Sequence, residues 1–428
     1  MKIYFTIYLI PVVAVALLLY WGPLRGERRR LALLIVTSLA VLSLLHPIFA
    51  VVVVGLTLFT HRLVAWRRTG RLTVGQALTM GITVALVVLA VGKYGHPAAR
   101  ALWGQDDWVA QYILMPLGIS YFVFRLLQYV FDQLRGVIEE HSFFRLLAFV
   151  LFLPTFPAGP LETYQGFYGK RSLSPDRELI YRSVRRIILG YFKKAFVIDL
   201  IFPITFGHIT STVLRPDYTP SAEPPLMSLA FVIIAFLRAY LDLSAYTDLA
   251  IGFSGLFGFR IMENFNRPLL KKNLSEFWQS YHISLSNWCR NNVYFPVFGL
   301  TRKAWVGLYA SMLTMGLWHY VNLNWAFWAL WHASGLVAVS RWKLYQRKRR
   351  KARTRAKPVP QPASVGLGAY LFVLPAGKWM FAWWPYVVTF LYVSIGYAFA
   401  ATHTLDKAVT IFAWCFYGPI LWLVGLFS

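Results

Sequence analysis

The sequence predicts an all-α, polytopic membrane protein, and three observations carry that prediction. Of its 428 residues, 58% are hydrophobic and only 14% are charged, which departs from the balance of soluble domains. The apolar residues fall in long runs separated by short clusters of arginine and lysine, the pattern of membrane spans with orienting loops. No stretch of ordinary soluble composition is long enough to form a separate domain. Residues 1–428 therefore read as one membrane-embedded domain with roughly 10–12 transmembrane segments.

In chain order, Tyr4 to Tyr20 lacks a strongly basic start and a small-residue cleavage site, and reads as a retained first helix. Arg25 to Arg30 follow, and then an unbroken apolar run from Leu31 to Thr60. As one helix this run would measure about 45 Å against a hydrocarbon core of roughly 30 Å, so His46 and Pro47 should divide it in two. With Arg25 to Arg30 and Arg62 to Arg71 both cytoplasmic, the hairpin between them obeys the positive-inside rule and puts the amino terminus outside. Met80 to Val91 is the heart of a further span, and Gly92 to Trp108 is polar enough to be a loop. Tyr112 to Phe131 combines Pro116 and Gly118 with aromatics and Arg125. Phe143 to Phe156 runs into PTFPAGP, which forbids a straight helix and marks a re-entrant segment or an interfacial turn.

Arg182, Arg185, Arg186, Lys193 and Lys194 flank an amphipathic stretch suited to the cytoplasmic surface. Leu226 to Leu256 is too long for one untilted span and carries Arg238 and Asp242 at helical spacing, where each can neutralise the other. Arg341 to Lys357 holds no acid and leads into Pro358, Pro360 and Pro362, so residues 341–363 read as a cytoplasmic loop. Val365 to Leu374, Trp384 to Ala400 and Val409 to Leu426 close the chain. The formal charge is +26. In a membrane protein such charge collects in cytoplasmic loops and meets anionic membrane lipids, which argues against a nucleic-acid partner.

The chemistry is expected between Phe236 and Gly335, where Arg238, Asp242, Asp248, His282, His319 and His332 interrupt apolar sequence. Ionisable residues inside a membrane mark a site or a path. Asn273 can cap an amphipathic helix over Asn273 to Trp288, with Glu276 completing a capping box. Its stripe of Leu274, Phe277, Trp278, Tyr281, Leu285 and Trp288 suits the membrane plane, and His282 lies beside the stripe, one turn from Trp278. His319 and His332 would lie about 20 Å apart on a straight helix, so they can share a site only if the chain turns; Asn322 and Asn324 mark that turn. A membrane-embedded histidine beside tryptophans is a candidate general base. Cys289 and Cys415 are the only cysteines, which excludes a disulfide framework and a thiolate metal cluster. With no HExxH and no closely spaced histidine pair, no metal is expected. Walker, dinucleotide and GxSxG motifs are also absent. Two classes remain open: transfer chemistry using a lone base and an externally supplied activated group, or a transporter or lipid-handling scaffold whose histidines line a conduit. The lack of an internal repeat weakens the second.

Five ordered blocks carry a resemblance: GISYFVFRLLQYVFD from Gly118, FLPTFPAGPLETYQGF from Phe152, YLDLSAYTDLAIGFSGLFGF from Tyr240, ENFNRPLLKKNLSEFWQSYHISLSNWCRN from Glu263, and GLWHY from Gly316 with WALWH ending at His332. The chain resembles the membrane-bound O-acyltransferase family, particularly its bacterial branch of alginate O-acetylation proteins and teichoic acid D-alanyl transfer proteins. The resemblance implies a funnel-like fold with re-entrant and in-plane helices around a tunnel, in the bacterial inner membrane. It also implies that His319 is the catalytic histidine and His282 the second polar position of the site. Arg238, Asp242, Asn266, Trp278, Trp318, Tyr320 and His332 would shape or support the tunnel. The implied donor is a cytoplasmic acyl thioester of coenzyme A or of an acyl carrier protein. The acyl group, acetyl by this expectation, goes to a cell-envelope polysaccharide or wall polymer, often with an extracytoplasmic or membrane partner protein. The chain departs from the branch at Ser280 and Tyr281, where SYH replaces RWH; at Asn292, near a usual aspartate; and at Tyr320, which replaces a glycine and whose bulk would narrow the space beside His319.

Overall fold

A computed structural model describes residues 10–103, 118–156, 159–355 and 375–425. Among them the chain is helical, the one strand-like feature being an isolated antiparallel bridge between Phe265 and Tyr281. The first eight helices are α1 (Ile10–Trp21), α2 (Glu27–Leu45), α3 (Pro47–Arg68), α4 (Val74–Trp103), α5 (Ile119–Leu134), α6 (Phe143–Val150), α7 (Tyr164–Gly169) and α8 (Arg177–Tyr191). A π-helical segment (Phe192–Ile201) leads to α9 (Phe202–Leu214), α10 (Met227–Leu256), α11 (Leu274–Trp278) and α12 (Ile283–Cys289). A second π-helical segment (Arg290–Tyr294) precedes α13 (Phe295–Thr301), α14 (Ala304–His319), α15 (Leu323–Arg355), α16 (Pro375–Ala401) and α17 (Leu405–Gly425). Among the described residues five helices or parts of them are long and apolar enough to cross a membrane: Pro47–Arg68, Val74–Gly95, Met227–Leu256, Ala382–Ala401 and Leu405–Gly425. The protein is thus an all-α, polytopic membrane protein. The chain divides into two compact units, one of Met1–Leu200 with Leu241–Glu263, the other of Ile201–Tyr240 with Asn264–Ser428.

In the first unit the long apolar run breaks at His46, as its length requires, and Pro47 opens α3 at a position whose missing N–H costs nothing. The expected loop from Gly92 begins instead as helix, because α4 continues to Trp103; Gly104 to Trp108 lie outside the described residues. Within the extended helix Gly92 packs directly against the Ile119 side chain of α5, which leaves no room for a Cβ. The apolar run from Phe143 makes only an eight-residue helix, about 12 Å long and too short to cross. Ser142 caps its start. Buried Arg125 donates to the carbonyls of its last two residues, Phe149 at 3.5 Å and Val150 at 3.4 Å, and to that of Thr155 beyond its end at 2.7 Å. One guanidinium thereby satisfies the broken backbone ahead of Pro157 and Ala158, which lie outside the described residues.

The amphipathic stretch forms α8, capped by Asp176 at 3.2 Å. Cations of α8 and of the π-helical segment after it meet acids of α10 and of the chain beyond it: Arg186 pairs with Asp248 and with Glu263, while Lys193 pairs with Asp248 at 2.6 Å and donates to Ser244 at 2.7 Å. Lys194 pairs with Asp242 at 2.8 Å and with Asp199 at 3.2 Å. The expected neutralisation of Asp242 by Arg238 is therefore corrected. Lysine from another segment reaches the carboxylate, and Arg238 is exposed.

In the second unit α14 and α15 fold back on each other through the turn at Tyr320 to Asn322. The Asn322 side chain accepts from Trp325 N–H at 2.9 Å, and Asn324 donates to Thr402 O at 3.0 Å. Gly316 permits the close approach, because a Cβ there would lie 2.5 Å from Trp325 O. The basic run expected as a loop is helix as far as Arg355, where α15 ends; residues 356–374, including the Val365 to Leu374 segment, lie outside the described residues. Val213, Phe231, Val232, Ile395, Ala398, Ile411 and Cys415 build a core for this unit from α9, α10, α16 and α17.

The expected single helix over Asn273 to Trp288 is two helices. Asn273 caps α11 as predicted, accepting from Glu276 N–H at 3.1 Å, but the capping box is incomplete, since Glu276 accepts from Lys272 N–H and not from the Asn273 backbone. After Trp278 the helix stops, and the preceding segment supplies the competing hydrogen bonds. Asn266 N–H donates to Ser280 O at 2.9 Å and Ile283 N–H to Asn264 O at 2.9 Å. The buried Asn264 side chain accepts from Ser284 N–H at 3.1 Å and from Ser284 Oγ at 2.9 Å. Asn264→Ala should therefore lower stability by about 1–3 kcal/mol by stranding buried donors, while Asn266→Ala, at an exposed side chain, should change it by less than about 0.5 kcal/mol. Arg125→Met should cost about 2 kcal/mol or more through its orphaned carbonyls. Thermal unfolding in detergent measures all three.

Candidate active site

His319 closes α14, and the turn after it brings the first residues of α15 over its ring. Trp325 stacks on His319 with centroids 4.4 Å apart and 17° between planes; Trp318 lies 4.6 Å away and Trp328 6.2 Å away. The turn marked by Asn322 thus converts a separation along the sequence into proximity.

His282 occupies the break between α11 and α12 with φ 48° and ψ 49°, a left-handed backbone that residues other than glycine adopt at a cost of about 1–2 kcal/mol. Hydrogen bonds on either side of it sustain that geometry, Asn266 to Ser280 before it and Asn264 to Ile283 and Ser284 after it. His282 is buried, and its Nδ1 meets no hydrogen-bond partner among the described residues. Burial pushes its pKa down to about 4, so the ring is neutral near pH 7 and offers one N–H and one lone pair. Its nearest recorded ring is Trp318, edge-on at 6.3 Å. Trp318 is therefore a shared neighbour of His282 and His319.

The cluster extends to the third histidine. Trp278 meets Trp328 at 5.7 Å and His332 at 5.3 Å, and Trp328 lies 4.6 Å from His332. Of the residues singled out from sequence, His282, His319, Trp278, Trp318 and His332 come together in the second unit. Tyr320 follows His319 as an exposed, extended residue whose N–H donates to Gly316 O at 3.3 Å. Arg238 and Asn266 are exposed, and Asp242 belongs to the ion pairs of the first unit. Tyr281 stacks on Phe277 and shares a hydrogen bond with Tyr397 at 3.1 Å. Ser280 is buried and donates to Phe277 O at 2.9 Å, a small hydroxyl that brings no charge into the interior.

Sequence reasoning missed Asn264, Trp325 and Trp328. The only signal for the tryptophans was their spacing, three residues from each other and, for Trp328, four from His332, which places them on one helical face. Among the described residues no group of three His, Cys, Asp or Glu side chains could hold a metal ion. The arrangement suits proton transfer by neutral imidazole between apolar rings, where exclusion of water strengthens each polar contact.

Comparison with known proteins identifies the family of the chain. The family model for MBOAT, the membrane-bound O-acyltransferase family, matches residues 53–373. The "Probable alginate O-acetylase AlgI" of Pseudomonas aeruginosa is 28% identical over 408 residues, covering 90% of this chain and 69% of that protein. The protein of the same description from Azotobacter vinelandii is 32% identical over 61% of this chain and 52% of its own length. The "Teichoic acid D-alanyltransferase" of Bacillus subtilis is 29% identical over 51% of this chain and 57% of its own. The chain thus spans between about half and two thirds of the length of these relatives. With a family match over more than half of its residues and several apolar helices of spanning length, this chain is a multi-pass inner-membrane protein that belongs to the membrane-bound O-acyltransferase family.

Proposed function

We propose that the protein moves an acetyl group from a cytoplasmic thioester, of coenzyme A or of an acyl carrier protein, to a hydroxyl of an extracytoplasmic polysaccharide. The observation that carries this reading is the pair of histidines sharing Trp318 within an aromatic, uncharged cluster. Family membership supports acyl transfer in general. Acetyl is favoured over D-alanyl because the alginate O-acetylase relative aligns over 90% of the chain and the D-alanyltransferase of Bacillus subtilis over 51%.

In this mechanism His319 accepts the proton of the acceptor hydroxyl as its oxygen attacks the thioester carbonyl. His282, neutral at the working pH, donates its N–H to the oxyanion that forms. Collapse of the tetrahedral intermediate breaks the carbon–sulfur bond, and the proton held on His319 goes to the departing thiolate. No serine or cysteine is assigned as a covalent nucleophile, so the acceptor is either the polymer itself or a hydroxyl of a partner protein that relays the group. The exposed basic face of α15 from Arg341 to Lys351 offers attraction to the phosphates of coenzyme A or to an acidic carrier.

The test is transfer of labelled acetyl from acetyl-coenzyme A to envelope polymers in membranes, with carrier protein and periplasmic extract added in parallel. His319→Ala should reduce transfer by about 10²–10⁴-fold while keeping the abundance of wild type. Equal labelling by both would remove His319 from the chemistry, and no labelling under any supply would return the chain to the conduit or scaffold class. At the second histidine, His282→Ala should lose about 10²–10³-fold, whereas His282→Asn should retain more activity, because asparagine tolerates the left-handed backbone and keeps an N–H donor.

A further inference from the structure

His332 has no part in the mechanism above, yet it is among the most buried polar residues of the protein, at 0% exposure. Neither ring nitrogen meets a hydrogen-bond partner among the described residues. The indole Nε1 atoms of Trp278 and Trp328 are likewise buried and unpartnered. These three rings touch one another, with centroid separations of 4.6, 5.3 and 5.7 Å. Nearby polar atoms are already engaged: Tyr392 Oη donates to Trp331 O at 2.6 Å, and Trp331 Nε1 to Tyr392 O at 3.0 Å. On the side of α16 the chain presents Gly396, where a Cβ would lie 3.1 Å from His332 Nε2. The ring nitrogen therefore faces a position without a side chain.

Buried polar groups are almost always hydrogen-bonded, and a cluster of three that the protein leaves unpaired calls for a guest. The chemistry of the donors restricts it. An indole N–H only donates, so the guest must accept; neutral imidazole can both donate and accept. An ammonium offers the indoles no acceptor. We propose that Trp278, Trp328 and His332 bind a neutral oxygen, of a resident water or of the acyl carbonyl, and that His332 thereby acts as a positioning residue for the rings against which His319 rests. Trp328 provides the link, touching both His332 and His319. The carbonyl source rests on the proposed acyl transfer; the water source does not.

The full chain in detergent, with thermal unfolding followed with and without acetyl-coenzyme A, tests this through His332→Gln, His332→Leu and His332→Phe. Glutamine keeps a donor and an acceptor, whereas leucine and phenylalanine bracket the imidazole in volume and remove both. If an oxygen is bound, the glutamine variant melts above both apolar variants, each of which falls by about 2 °C or more below wild type. If the imidazole is simply unpaired, removing it relieves a desolvation cost, and an apolar variant that melts at or above the glutamine variant overturns the proposal. An acetyl-coenzyme A shift present in wild type and lost in His332→Leu assigns the oxygen to the acyl group; a shift kept in that variant, or absent from wild type, assigns it to water. As a positioning residue His332 should also show rescue in the transfer assay, with glutamine restoring kcat that leucine loses. Should acyl transfer itself fail, the order of melting temperatures still decides the binding site.

Discussion

The hydrogen bonds of Asn264 to Ile283 and Ser284 are the interaction on which the candidate site depends. Left to its own periodicity, the segment from Asn273 would continue as one helix. His282 would then sit one turn beyond Trp278 on the edge of an apolar stripe. Three acceptor contacts from a neighbouring segment outweigh the few intrahelical bonds that this continuation would add. They also hold His282 in a left-handed conformation that its own preference opposes. In a buried, weakly polar setting such bonds are hard to give up, because a stranded N–H finds no water. The site is thus positioned by backbone competition, and the imidazole follows.

The two units handle buried polarity in opposite ways. In the first, charge is kept and paired. Asp248 lies between Arg186 and Lys193, Asp242 takes Lys194, and Arg125 serves carbonyls. Such groups are expensive to bury, but once paired they fix one arrangement of helices and offer no free proton acceptor. In the second, the cluster around His319 is built of imidazoles and indoles. The polar groups that the rings surround there are neutral donors and acceptors, imidazole and indole N–H among them, and not paired charges. The separation of roles follows from the chemistry of the side chains within each unit.

Much of this was legible in the sequence where the deciding physics is local. Pro47 lacks an N–H and must start a helix, and a 30-residue apolar run needs a break somewhere; the two requirements coincide. Asn322 is a turn and cap former, and it caps α15 as its position requires. The reading failed where distant segments decide. Asn266 drew attention, yet its side chain is exposed and Asn264, two residues earlier, carries the buried contacts. Nothing in residue type separates these two asparagines; only the partner, twenty residues on, does. The pairing of Asp242 with Lys194 was hidden for the same reason, since a partner four residues away looks adequate until a second segment supplies a better one. The basic run from Arg341 misled differently. Its charge marked a loop, but lysine, arginine and alanine are strong helix formers, and with α15 already nucleated upstream, propagation costs little.

The hairpin of α14 and α15 shows why a glycine can matter as much as the histidines. Stacking of Trp325 on His319 requires the two helices to approach until Trp325 O lies 2.5 Å from where a Cβ of residue 316 would be. Only glycine leaves that space, and it does so one helical turn before the histidine. The turn at Tyr320 to Asn322 then has to be short, for a longer connection would let the first turn of α15 slide away from the imidazole. Tyr320 meets this demand in an extended conformation open to any residue, so its side chain is not constrained by the turn. The turn therefore does not call for glycine at position 320, and the close approach of the two helices is carried by Gly316 alone.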